Sequence, residues 1–188
     1  MSEQKKYEFT GKIKTIFGIE FKQIRAIISF GCVVAGEIGG WIECEENLSQ
    51  SGDAWVSGDA RVYGDAWVSG DARVYGNARV YGNAWVSGDA RVYGDARVYG
   101  DAWVYGDARV KKDDDYMVIG GAGRYNRFTT FFKCRDKTIK VICGCFFGTI
   151  IEFRAKVKET HKGNKHEKVY LAMADIAELQ IGNDEVEK

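Results

Sequence analysis

The chain has 188 residues with 27 acidic and 27 basic side chains, and it contains no proline. Zero net charge excludes a globally nucleic-acid-like surface, and 45% apolar content excludes a disordered chain. The longest uncharged runs, 26–36 and 141–151, are too short to span a bilayer.

The opening Met-Ser-Glu-Gln-Lys-Lys lacks the apolar core of a signal peptide, so a cytoplasmic protein is expected. The five cysteines, an odd number scattered at 32, 44, 134, 143 and 145, fit reduced thiols better than a disulfide frame. Charge is uneven along the chain. Residues 124–168 hold twelve basic against four acidic side chains, whereas the rest is balanced or acidic.

Residues 7–28 read as strands. Tyr7, Phe9, Ile13, Ile19, Phe21, Ile24 and Ile27 are interleaved with polar residues, and Gly18 is a turn between the two runs. The expected role of residues 1–32 is an N-terminal β cap, because an uncapped solenoid end invites edge-to-edge association. Residues 33–46 look like a decayed repeat. Val34-Ala35-Gly36-Glu37-Ile38 and Trp41-Ile42-Glu43 echo the regular unit that follows, with an extra glycine at 39 or 40 breaking register.

Residues 52–111 are ten consecutive copies of Gly–Asp/Asn–Ala–Trp/Arg–Val–Ser/Tyr, with Lys111 closing the last. A period of six does not fit a helix face. Ala and Val flank one residue and so point to the same side of an extended segment. Gly–Asp or Gly–Asn then turns the chain, so each unit is a short strand plus a corner. The ten valines, each worth roughly 1.5–3 kcal/mol when buried, are the expected core.

Lys111–Asp115 is a charged break, and residues 112–188 are expected to form a small α+β domain. Tyr116–Ile119 reads as a strand and Gly120–Gly123 as a turn. Phe128–Cys134 and Thr138–Phe146 read as a hairpin. Thr149-Ile150-Ile151-Glu152 is a capping box opening a helix with Ile150, Phe153 and Val157 on one face. Asn164-Lys165-His166-Glu167 opens a second helix carrying Val169, Tyr170, Met173, Ile176 and Ala177, ending at Gly182.

The repeat resembles the hexapeptide repeat of left-handed parallel β-helices. That resemblance implies three units per coil and a three-sided prism. The expected fold is therefore mainly β: a left-handed parallel β-helix over 33–111 between the β cap and the C-terminal domain. Residues 18 apart then stack. Trp67, Trp85 and Trp103 form one ladder; Arg61, Arg79 and Arg97 form a second, beside Tyr63, Tyr81 and Tyr99. Trp55, Arg73, Arg91 and Arg109 occupy the third face. Exposed contiguous aromatic surface is uncommon on monomers. The Trp ladder is therefore expected to be covered, by the terminal segments or by another subunit. The resemblance favours a trimeric homo-oligomer, with a dimer as the alternative.

The whole order of motifs resembles hexapeptide-repeat proteins common in phage and prophage genomes. It runs through Gly-Glu-Ile-Gly-Gly-Trp-Ile-Glu, the repeat, Arg-Tyr-Asn-Arg-Phe-Thr-Thr-Phe-Phe, Cys-Gly-Cys-Phe-Phe-Gly-Thr and Glu-Thr-His. That resemblance implies an accessory protein in a bacterial host, with antagonism of host defence as one role, and it transfers no reaction.

Acyltransferases and carbonic anhydrases on this fold need histidines, and residues 52–111 contain neither His nor Cys. No catalytic set and no cofactor are expected. Cys143, Cys145, His161 and His166 have a spacing not far from a zinc pattern, but packing explains them more simply. The candidate binding region is 120–130. A Gly-rich turn exposes N–H groups, and Arg124 and Arg127 are suited to clamping an anion. Tyr125 is suited to stacking, Asn126, Thr129 and Thr130 to polar reading, and Lys133 and Lys140 to adding positive field. The expected ligand is small, anionic and nucleotide-like; a host protein is the alternative partner.

Overall fold

The computed structural model describes residues 5–123 and 125–182. Strands β1 (Tyr7–Ile16) and β2 (Ile19–Ala26) form an antiparallel hairpin about Phe17–Gly18, and β2 pairs antiparallel with β3 (Ile38–Ile42). Ten two-residue strands follow, β4 (Trp55–Val56) to β13 (Arg109–Val110), one every six residues. Each pairs in parallel with the strand 18 residues away, giving three sheets of stacked coils. The chain is thus a β-solenoid of about four turns, and the three columns assigned from the 18-residue spacing are those the pairing shows.

Every Ala from Ala54 to Ala108 and every Val from Val56 to Val110 is essentially inaccessible. Glycine is required at the corners for two reasons. Gly52 to Gly106 hold φ between +66° and +73°, and a Cβ on Gly88 would lie 2.8 Å from the amide nitrogen of Gly106 in the next coil.

The solenoid begins earlier than the regular repeat, at the expected Trp41–Glu43 echo but not at the Val34–Ile38 one. Trp41 and Ile42 pair in parallel with Arg61 and Val62, and Leu48 bridges Val68, both offset by 20 residues instead of 18. Val34 and Ile38 are exposed, so the Val34–Ile38 echo does not point into the core. Gly39 and Gly40 are buried there instead, against Trp55 and Val56.

Beyond the last coil, β14 (Tyr116–Ala122), β15 (Arg127–Lys133), β16 (Ile139–Cys143) and β17 (Phe146–Thr149) make an antiparallel meander. Helices α1 (Ile150–His161) and α2 (Lys165–Ile181) cover it. Alternation splits the sheet. Tyr116, Phe132 and Cys134 pack on the end of the solenoid core. Phe131, Ile139 and Val141 pack on Phe153, Val157, Tyr170 and Met173 of the helices. The sheet is therefore the lid of the prism and the floor of the helical layer.

Three local expectations need correction. Gly120 and Gly121 lie inside β14, not in a turn, because Ala122 still pairs with Arg127 across a bulge. Thr138–Phe146 is not one strand. Gly144, at φ +59°, turns the chain with Cys145 between β16 and β17. Both helix starts are as expected: the Thr149 hydroxyl accepts from Glu152 N at 3.2 Å, and Asn164 Oδ1 accepts from His166 N at 2.8 Å. Ile176, expected on the inner face of α2, is half exposed; Ala174 and Ile181 fill that face instead. Among the described residues no helix is long and apolar enough to cross a membrane.

Candidate functional site

The lid does not cover the whole end of the prism. On the Trp-bearing side, the β16–β17 turn overhangs the last two coils and leaves a cleft in two compartments. The apolar one, about 310 Å³, has Trp85, Trp103 and Tyr105 on the solenoid side and Ile142, Cys145, Phe146 and Phe147 on the lid side. The polar one, also about 310 Å³, is lined by Asp101, Trp103, Arg127, Phe128, Thr130, Ile142 and Gly144. Trp103, Ile142 and Gly144 line both and so divide them.

The floor follows from the repeat. Trp85 and Trp103 sit at equivalent positions of successive coils, and their rings stack with centroids 5.2 Å apart and planes 10° from parallel. Trp67 meets Trp85 edge to face at 5.1 Å. Trp85 and Trp103 remain 42% and 45% exposed, so the lid covers the ladder only in part. Tyr105 continues the aromatic floor to Phe147, edge to face at 5.4 Å.

The polar compartment gathers its charge from two elements. Arg127 opens β15, and its guanidinium lies 5.2 Å from the Tyr125 ring centre. It also occupies the space where a Cβ on Gly144 would be, 2.0 Å from Nη1. Glycine at 144 is thus what lets the arginine cross the turn. Asp101 comes from the last coil, where its Oδ1 accepts from Asn83 Nδ2 at 2.9 Å. Its carboxylate keeps further acceptor capacity at the wall of the cleft. The site therefore combines a flat indole, a cation and a carboxylate.

The expected ligand residues divide. Tyr125, Asn126 and Arg127 lie together at the β14–β15 turn, Asn126 with φ +48°. Arg124 lies outside the described residues. Thr129 and Thr130 are buried on opposite faces of β15: Thr129 Oγ1 donates to Cys143 Sγ at 3.2 Å, and Thr130 Oγ1 accepts from the Trp103 amide at 3.1 Å. Lys133 is half-buried at the end of β15, opposite Ile139. Lys140 Nζ donates to Asp107 Oδ1 at 2.7 Å and lies 5.7 Å from the Phe147 ring centre. This bond raises the lysine pKa and lowers that of Asp107. Lys140 thus straps the lid to the last coil. Sequence reasoning missed Asp101 as a site residue, and placed Trp103 only in an interface. The signal available was the 18-residue stacking that puts both at the final coil.

The Cys/His set does not converge. Cys143 ends β16 and Cys145 lies in the following turn, so they do not share a strand face. His161 stacks on Tyr170 with centroids 5.5 Å apart and lies 5.7 Å from His166. Burial pushes the Tyr170 phenol up to about 12, with Cys143 adding to the effect. Burial likewise pushes the Cys134 thiol up to about 12, helped by Asp107, which makes it a poor nucleophile. Among the described residues, no three His, Cys, Asp or Glu side chains are grouped to hold an ion.

A comparison with curated proteins returns no match. Residues 51–70, 72–88 and 90–106 match the family described as YdcK beta solenoid repeat, so under a third of the chain, all of it within the coils that carry the Trp ladder, is similar to the repeat of that β-solenoid family.

Proposed function

We propose that this protein is a non-catalytic binding module whose polar cleft takes a planar, anionic, nucleotide-like ligand. The observation that carries the reading is the meeting of Trp103 and Arg127 in one compartment of about 310 Å³. The indole supplies a stacking surface worth roughly 1–3 kcal/mol per base. The guanidinium supplies a planar donor pair for an oxyanion, and Asp101 accepts from an amino or hydroxyl group. A pocket of this size suits a mononucleotide-sized fragment. The phage-type accessory role, with sequestration of a nucleotide-class signal, extends the same proposal and rests on the order of motifs along the chain.

Titration calorimetry against mononucleotides, cyclic nucleotides and ADP-ribose derivatives tests it. At least one is expected to bind with quenching of Trp fluorescence. Trp103→Ala and Arg127→Ala are each expected to weaken that binding about ten-fold or more, equivalent to about 1.4 kcal/mol. No heat and no quenching across the panel would sink the reading.

A second reading, a protein-docking surface, is favoured by the half-exposed side chains around the cleft, Trp85, Trp103, Tyr105, Phe128 and Phe147. It predicts no small-molecule heat.

A further inference from the structure

The N-terminal hairpin carries an aromatic side chain in a position that folding alone disfavours. Phe17 is 96% exposed and has φ +52°. Phe17 and Gly18 form a two-residue turn with positive φ at both central positions, the type I′ pattern, where Asn-Gly is the usual occupant because a bulky side chain is strained there. Gly18 meets the requirement at φ +82°. Phe17 meets neither the backbone preference nor the hydrophobic one.

Register fixes where this residue goes. Lys22 pairs with Ile42 and Gln23 with Trp41, so the residues from Phe21 back to the turn run past the end of β3. Beyond that end the solenoid chain turns toward the Trp-bearing face, where Leu48 bridges Val68. The hairpin tip thus overhangs the corner beside the Trp face, at the first coil. The apolar compartment lies on the same side but at the last coils. With strands about 4.8 Å apart it is roughly 15 Å further along the axis. A hairpin held by the β2–β3 register does not reach it within one chain.

We propose that Phe17 of one copy inserts into the apolar compartment of a second copy, so that the chains assemble head to tail. The compartment is open and lined by aromatic and aliphatic side chains, Trp85, Trp103, Tyr105, Ile142 and Phe147 among them, and its 310 Å³ has room for the Phe17 ring together with part of the turn that carries it. Burial there stabilises the contact and offsets the strain of the turn. Apolar fit, not charge, selects the slot: of the acids in the groove past Phe147, Glu159 is paired with Lys156 at 2.8 Å and Glu152 accepts from the Thr149 amide at 2.7 Å. Because tip and slot are different surfaces, the contact is heterologous and generates a closed ring or an open filament. It concerns the compartment beside the polar cleft and stands whether or not a ligand binds there.

Light scattering of the full chain with three samples tests the inference. Wild type is expected at a multiple of 21.1 kDa. Phe17→Asn places a residue that tolerates positive φ at the tip, so its thermal midpoint is expected to match or exceed wild type while the mass falls to one chain. Ser87→Arg, which fills the slot from its solenoid wall, is expected to do the same from the other side. Mixing the two variants is expected to restore a species of two chains, since one contributes an intact slot and the other an intact tip. A monomeric wild type, a Phe17→Asn variant that keeps the wild-type mass, or folded variants that form no dimer on mixing would each overturn the proposal.

Discussion

At the scale of single residues, the ends of the solenoid show how few side chains complete the fold. The edge coils of a parallel stack are left with backbone N–H and C=O groups that no further coil pairs. The first end receives donors. Lys6 Nζ donates to the carbonyls of Ser51, Gly52 and Ala54 at 2.9–3.3 Å, and Asn47 Nδ2 donates to those of Gly64 and Ala66 at 2.8 and 2.9 Å. The last coil receives acceptors, with Asp113 Oδ1 on the Arg97 amide at 2.7 Å and Thr130 on that of Trp103. Lys6 is buried, and burial lowers its pKa to about 8, with Asp53 and Asp71 opposing the shift. Lys6→Met keeps the stem packed but strips three carbonyls of their donor. It is expected to destabilise the protein by about 2–3 kcal/mol, read as a lower urea midpoint. An unchanged midpoint would show that water replaces the lysine. None of these caps is legible in the sequence, because each joins residues 16 to 48 positions apart and no periodicity marks them.

At the scale of elements, the repeat is legible because its constraints are local and recur. The inward Ala and Val, the corner glycine and the outward Trp or Arg each reappear every six residues. The structure adds why the corner tolerates no alternative: backbones of successive coils approach so closely that a Cβ collides with the next amide. Gly88→Ala combines that clash with an unfavourable φ of +69°. It is expected to cost about 1–3 kcal/mol, seen in thermal unfolding, and a smaller loss than at an ordinary surface glycine would contradict the close-approach argument. The helices were legible through their caps. The sheet between them and the solenoid was only half legible. Gly120-Gly121 reads as a turn on propensity, yet the Phe128 ring lies over Gly120 and pairing carries β14 through to Ala122. Tertiary pairing overrides the local glycine preference there.

At the scale of the whole molecule, charge is arranged by column. Two corner columns alternate Asp with Asn, and Asn77 and Asn83 donate to Asp95 and Asp101 at 3.0 and 2.9 Å. The third holds Asp53, Asp71, Asp89 and Asp107 with no amide between them. Basic groups relieve it: Lys6 beside the first two, Arg109 at 2.8 Å from Asp89, and Lys140 at 2.7 Å from Asp107. Hydrogen bonding to Arg109 and Lys140 holds the carboxyls of Asp89 and Asp107 below their ordinary 3.8. Folded, they bind protons less readily than unfolded. Their contribution is therefore complete above about 4 and is lost as the pH falls through their lower folded values. Both are partly exposed, so each pair contributes about 0.2–1 kcal/mol. The urea midpoint is expected to fall below pH 4, and Asp107→Asn is expected to flatten that fall. An identical acid profile for the variant would remove the column argument.

The sequence by itself determined a repeat of short strand plus corner; its resemblance to hexapeptide β-helices supplied three units per coil, and an 18-residue coil then converts spacing directly into position. The sequence also determined both helix starts, through side chains that cap their own backbone within three residues. Only the tertiary structure decided that Thr130 caps a coil instead of lining a surface, that Lys140 straps the lid to Asp107, and that Trp103, Asp101 and Arg127 share a cleft. Those outcomes depend on how the C-terminal sheet seats on the last coil. That seating is set by packing between residues far apart in the chain, which no local pattern encodes.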